Sequence, residues 1–221
     1  GILVLGRPQS QDTDYHMTYY NADGHEGTFC GNGARCLARF YFQKSDRSEA
    51  SFTASDGPHR AFRDDDDRIS VSMCDAALPE PAGADAVFVD TGSPHYVALF
   101  SDIPTDFSFK KWARPIRHTF RPDGVNVNMI YQEGGQWYMR TFERGVEDET
   151  LACGTGAVAA AIALHQLRRL SPPVTLYARG GTLTVSFSAR KDRFTDMMLS
   201  GPAHILFYGT WSHPTPTFAG P

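Results

Sequence analysis

Residues 29–40 read FCGNGARCLARF, and residues 152–163 read ACGTGAVAAAIA. Each stretch sets a cysteine ahead of Gly-x-Gly-Ala and a run of helix-forming residues, and the two cysteines stand 123 positions apart. Internal repeats decide an architecture before any single motif does, and this pair widens when read outward. YHMTYYNADGHEGTFC (15–30) faces WYMRTFERGVEDETLAC (137–153), with Met17 over Met139, Tyr20 over Phe142 and Asn21 over Glu143. One residue is inserted before the second cysteine. GILVL (1–5) faces GVNVNMI (124–130), FTASDG (52–57) faces LYARGG (176–181), and DRISVSM (67–73) faces DRFTDMM (192–198). The offset stays between 122 and 125 throughout. Residues 1–73 and 124–198 therefore read as one supersecondary unit, duplicated.

Periodicity gives the unit its elements. YHMTYY and WYMRTFE are short and rich in β-branched and aromatic residues, which predicts strands. The Cys-Gly-x-Gly turn leads into Ala- and Leu-rich runs long enough for helices of about ten residues. The second run is apolar on nearly every face, so it is expected inside a curled sheet. The segments that follow each helix read as hairpins. The acidic run Asp64–Asp67 is expected at a solvated hairpin tip, because adjacent aspartates cannot all face one metal ion. Residues 84–123 precede the second copy and have no counterpart before the first. That difference predicts a missing lead-in of about 40 residues at the amino end.

Composition narrows the function classes. The chain has 221 residues, 41% apolar and 21% charged, with a net charge of −4. An acidic balance argues against nucleic acid as a partner, and no apolar run is long enough to span a bilayer. No signal peptide is evident, so a cytoplasmic location is expected. The four cysteines, Cys30, Cys36, Cys74 and Cys153, lack the spacing of a structural zinc site. Cys36 and Cys74 are expected to be structural, and no metal is expected.

A cysteine at a helix start is a chemical position. Unpaired N–H groups and the positive end of the helix dipole favour a thiolate there. The glycines let backbone amides approach an anion such as a carboxylate. Pseudo-twofold packing of two such turns would set a thiol on each side of a ligand, which suits inversion of a stereocentre by general acid–base transfer. A thiol tuned from about 8.5 toward 7 would serve. Three other readings remain open at this point: a redox couple, a thiol hydrolase with His95 as its base, and a duplicated packing turn whose thiols are incidental.

The ordered motifs YNADGHEGTFCGNGARC, DTGSPH, GVNVN, FERGVEDETLACGTGA and SGPA together resemble the diaminopimelate epimerases, from about residue 1 to residue 211. The resemblance implies cofactor-independent interconversion of LL- and meso-diaminopimelate, serving lysine and cell-wall precursor synthesis. It implies an α+β fold of two pseudo-symmetric domains, each a curled, mostly antiparallel sheet around a central helix. Residues 1–83 would form the first half and 84–205 the second, with 206–221 returning to the first. Cys30 and Cys153 would be the acid/base thiols. Gly31, Asn32, Gly154 and Thr155 would cradle the α-carboxylate, while Asn21, Asn126, Glu143 and Arg144 would read the distal amino-acid end. His95 would stand near the substrate, or one layer behind it, or be a satisfied structural histidine. Ser93 replaces the Asn usual in the family, so a distal contact would be lost or bridged by water. The family's opening Gly-Asn-Asp-Phe-type motif has no match. A homodimer is implied, with a small amino-acid substrate and no cofactor. A proline or hydroxyproline racemase is the nearest alternative enzyme, and a binding protein on the same fold is the nearest alternative of another class.

Overall fold

The computed structural model describes residues 1–64, 68–119 and 124–210. The tip of the acidic run (65–67) and the terminal 211–221 lie outside the described residues, as does 120–123. The first unit runs β1 (Ile2–Gly6), β2 (Tyr15–Tyr20), α1 (Gly31–Ser45), β3 (Glu49–Ala54), β4 (Gly57–Arg63) and β5 (Arg68–Ser72). A connecting segment follows, with β6 (Ala76–Ala77), β7 (Glu80–Gly83), β8 (Ala86–Asp90), β9 (Pro94–Phe100) and α2 (Phe109–Thr119). The second unit is β10 (Asn126–Glu133), β11 (Gln136–Glu143), β12 (Asp148–Thr150), α3 (Gly154–Arg168), β13 (Val174–Ala178), β14 (Gly181–Ala189) and β15 (Arg193–Pro202).

The duplication holds at the level of strand pairing. β1 and β2 are antiparallel, β2 and β3 parallel, and β3, β4 and β5 antiparallel. β10 and β11, β11 and β13, and then β13, β14 and β15 repeat that order. The register of the first pair in each unit also fixes equivalences: Leu5 opposes Met17 as Ile130 opposes Met139, and Leu3 opposes Tyr19 as Asn128 opposes Thr141. The units meet where β5 pairs antiparallel with β15, from Ser72↔Met198 to Arg68↔Pro202. One path of hydrogen-bonded strands thus runs through both halves. β6 pairs with β15, and β7 with β8 inside the connecting segment. At the other end Tyr208 reaches back to hydrogen-bond Gln43 on α1.

Both helices run 15 residues, longer than composition alone suggests, because they begin at the glycine right after each cysteine. Glycine is a poor helix former; here packing against the sheet supports it. α1 buries a stripe of Ala34, Leu37, Ala38 and Phe42, an i, i+3, i+4, i+8 face. Cys36 falls on the opposite face and is exposed, which corrects its expected structural role. α3 is buried continuously from Gly156 to Leu164, as a helix must be when sheet surrounds it. Strand alternation supplies the walls: Phe52, Ile69, Val71, Leu183, Val185 and Leu199 all enter one core with both helices. In β15 the inward set shifts from Phe194 to Met197 and Leu199 across Asp196, which has φ 55, beside a register shift in the β14 ladder. That is a bulge re-aiming the strand.

The connecting segment thickens the second half only. α2 covers the outer face of β10 and β11, where Phe109 and Ala113 pack on Val127, Met129 and Phe142. The opposite face of these strands carries Ile130 and Met139 into the main core. With one side chain to each face in turn, Asn126 and Asn128 share the Ile130 face, toward α3. No helix among the described residues is long and apolar enough to cross a membrane.

Candidate active site

Each turn is built the same way. A strand ends, a loop follows, and the cysteine takes the extended backbone of an N-cap, with φ −115 and ψ 105 at Cys30 and φ −121 and ψ 120 at Cys153. Such a residue aims its side chain at the free N–H groups of the first turn. Cys30 Sγ accepts a hydrogen bond from the Gly33 N–H at 3.3 Å. Cys153 makes no such cap; its sulfur lies 3.5 Å from Thr155 Oγ1.

The helix starts abut. The Asn32 side-chain amide donates to Ala152 O at 2.8 Å, linking one turn to the other. A Cβ on Gly154 would lie 3.2 Å from Gly31 Cα and 3.4 Å from Asn32 N, so bare glycine permits this approach. A cleft of about 730 Å³ opens over the junction. Cys30, Gly31, Asn32, Cys153, Gly154 and Thr155 line it, together with Asn21, Ser93, Asn126, Glu143 and Arg144. Every residue nominated from sequence therefore lines this cleft except His95, which is fully buried behind Thr155.

Several of these side chains have specific tasks. Asn126 donates to Ser93 Oγ at 2.8 Å and accepts from the Arg144 backbone N–H at 2.8 Å. Ser93 is thus a direct hydrogen-bond partner of Asn126. Arg35, also buried, donates to Gly31 O and Asn32 Oδ1. It holds the amide that crosses to Ala152. The loop before Cys153 is fastened by ion pairs: Glu147 to Arg117, Asp148 to Lys110, and Glu149 to both Arg140 and Arg179.

Electrostatics departs from the sequence expectation. Burial raises the pKa of Cys30, against the lowering influence of the Gly33 N–H. Burial, and then the Glu143 carboxylate, push Cys153 up to about 12. The helix starts do not bring these thiols toward 7, because removing a thiolate from water outweighs the helix dipole. Burial also raises Glu143, whose charge bears on both sulfurs. His95 is driven down to about 3 by burial and then by the Arg144 charge, so it is neutral.

Tyr19, Arg35, Asn128 and Thr141 were not nominated from sequence. Tyr19 lines the cleft. Asn128 was detectable in principle: Asn126 and Asn128 stand two apart in a strand, so what faces the site at one also faces it at the other. Among the described residues, no three His, Cys, Asp or Glu side chains are grouped to hold a metal ion.

Comparison with known proteins agrees with the geometry. The family model described as diaminopimelate epimerase matches residues 87–206. The diaminopimelate epimerase of Flavobacterium psychrophilum is 40% identical over 95% of this chain and 82% of its own length. That of Chlorobaculum tepidum is 38% identical over 95% of this chain and 84% of its own. Among solved structures, a putative phenazine biosynthesis PhzC/PhzF protein from Clostridium difficile superposes with a TM-score of 0.66 at 12% identity, covering 96% of this chain and 82% of that one. A hydroxyproline epimerase from Agrobacterium vitis, with bound trans-4-hydroxy-L-proline, gives 0.61 at 14% identity, covering 90% and 72%. These two share the α+β fold of curled sheets around central helices.

Proposed function

This chain belongs to the diaminopimelate epimerase family of isomerases, and on that premise we propose that it interconverts LL- and meso-diaminopimelate through a pair of thiols. One observation carries the reading: two cysteine-headed helix starts abut, and both cysteines line a single cleft. The substrate α-carboxylate lies on the N–H groups at the starts of α1 and α3, where partial positive charge and free donors coincide. Arg144, which enters no ion pair among the described residues, takes the distal carboxylate by charge-assisted bonds. Asn21 and Asn126 add polar contacts to that end.

In the reaction, a thiolate on one side removes the α-proton and the thiol opposite returns one to the other face. Charge that develops at the α-carbon and its carboxylate is met by preorganised amides in a dry site. A thiolate must first form. The Glu143 carboxylate opposes it at both sulfurs, and in this reading Glu143 instead complements the distal ammonium of the substrate from its place in the cleft. Cys30 is the easier thiol to ionise, because a backbone N–H already points at its sulfur. The same reading includes closure of the halves 1–83 and 84–205 over the substrate, and a cytoplasmic homodimer that uses no cofactor.

Incubation in D2O tests the proposal. LL-diaminopimelate should gain deuterium at one α-carbon and yield the meso isomer, and both Cys30→Ser and Cys153→Ser should lose turnover. Turnover of trans-4-hydroxy-L-proline in place of diaminopimelate would overturn the substrate. Full activity in either cysteine variant would overturn the mechanism.

A further inference from the structure

Asn128 is fully buried on β10 and satisfies every polar atom of its amide. Its Oδ1 accepts from Thr141 Oγ1 at 2.9 Å. Its Nδ2 lies 2.9 Å from His95 Nδ1 and 3.2 Å from Tyr96 O. Amide orientation is not free here. A backbone carbonyl can only accept, so the atom facing Tyr96 O must be the NH2 group. The same NH2 then faces His95 Nδ1, which must present a lone pair. A neutral imidazole with Nδ1 bare carries its proton on Nε2, and Nε2 lies 3.0 Å from Thr155 Oγ1. The Thr155 oxygen therefore accepts from His95, and its own hydrogen is left for the sulfur of Cys153 at 3.5 Å.

We propose that Asn128 is a positioning residue which, through the fixed tautomer of His95, aims the Thr155 hydroxyl proton at Cys153 and so stabilises its thiolate. The proposal rests on the reading of Cys153 as an acid/base thiol. It gives that sulfur a hydroxyl donor beside the Gly156 N–H, which also favours the thiolate. The first half has no such relay: the register equivalent of Asn128 is Leu3, and Cys30 takes the Gly33 N–H directly. Opposing the thiolate at Cys153 are the Glu143 carboxylate on β11 and the Cys30 sulfur at the head of α1. Arg144 faces His95 and reinforces its neutral form.

Two measurements decide the matter. Nitrogen-15 NMR of the histidine-labelled wild-type protein should find His95 with its proton on Nε2; a proton on Nδ1 overturns the relay. Alkylation of each cysteine by iodoacetamide, resolved by mass spectrometry across pH, reads the thiolate at each site. Thr155→Val should slow Cys153 about tenfold at a fixed pH, the worth of one hydrogen bond to a charge, and Thr155→Ser should restore it. Cys30 serves as the internal reference. Asn128→Asp, which accepts from the imidazole and reverses its tautomer, should match Thr155→Val. An unchanged Cys153 profile in Thr155→Val overturns the proposal even if Asn128→Asp does not fold. If the wild type fails to exchange substrate α-hydrogen, the epimerase reading fails, while tautomer and thiol titration still decide the relay.

Discussion

The two turns share a backbone and differ in what stands behind it. Behind Cys30 the equivalent positions are Leu3, Tyr19 and Gly33, with an aliphatic side chain packed on the helix. Behind Cys153 they are Asn128, Thr141 and Gly156, and β9 adds His95. The loops before them differ as well. Asn21–Glu26 is exposed and held by backbone bonds such as Gly27 N to Tyr19 O, whereas Glu147, Asp148 and Glu149 each hold a cation. Duplication supplied two copies of one geometry, and what packs behind each copy leaves the two sulfurs with different partners, the Gly33 N–H at Cys30 and the Thr155 hydroxyl at Cys153.

Four experiments probe that inequality. The largest effect is expected from the thiols themselves. Cys30→Ser and Cys153→Ser should each cut epimerisation by about 10²–10⁴-fold, followed by chiral chromatography of the product. Wild-type turnover in either would mean that the turns do not act as one pair.

Acid should expose the second turn next. The folded pKa of His95 is depressed to about 3, so between about 6.5 and that value the unfolded chain takes up a proton the folded one refuses. Stability present above pH 6.5 is then lost as pH falls, at up to about 1.4 kcal/mol per unit. Urea titrations at several pH values measure the slope, and His95→Gln should flatten it.

The paired glycines sharpen the contrast further. A Cβ at Gly156 would sit 2.7 Å from Asn128 Oδ1, which hydrogen bonds hold in place. Gly156→Ala should cost about 1–3 kcal/mol of stability. A Cβ at Gly33 meets Leu3 Cδ2 at 2.8 Å, a methyl group that can turn away. With the helix-propensity gain of alanine, Gly33→Ala should stay within about 1 kcal/mol of wild type. Equal losses would show the two backings to be equally rigid.

The smallest effect concerns the tie between turns. Asn32→Ala removes the bond to Ala152 O and should cost about 0.5–1.5 kcal/mol, read as a change in urea midpoint. No change would mean that the halves hold their alignment without it.

Much of this molecule can be read from the chain. The cysteine turns name themselves, and the outward match around them recovers the strand and helix order of both units. It also places the cleft residues, since Asn21 and Glu143 are equivalents in the two loops. Other features depend on what tertiary structure does to a residue. Asn128 looks like a strand residue until Tyr96 O and His95 are set beside it. The thiols look activated until burial is counted, because a helix start acts locally while desolvation depends on the closed site. Cys36 follows Cys30 by six residues, yet it turns to solvent because Ala34, Leu37 and Ala38 take the inner face. The β5–β15 pairing joins residues about 130 apart and has no local signal.

That last pairing limits how the duplicated halves could drift apart. Five residue pairs of one ladder belong to both units at once, so neither can slip its register without turning the other's inward side chains outward. Chemistry behind each turn could diverge freely, as Leu3 and Asn128 did, while the seam kept its alignment. For inheritance the molecule behaves as one object: damage on either side of the seam is borne by both, and a half released alone would expose the unpaired strand that once joined it to its twin.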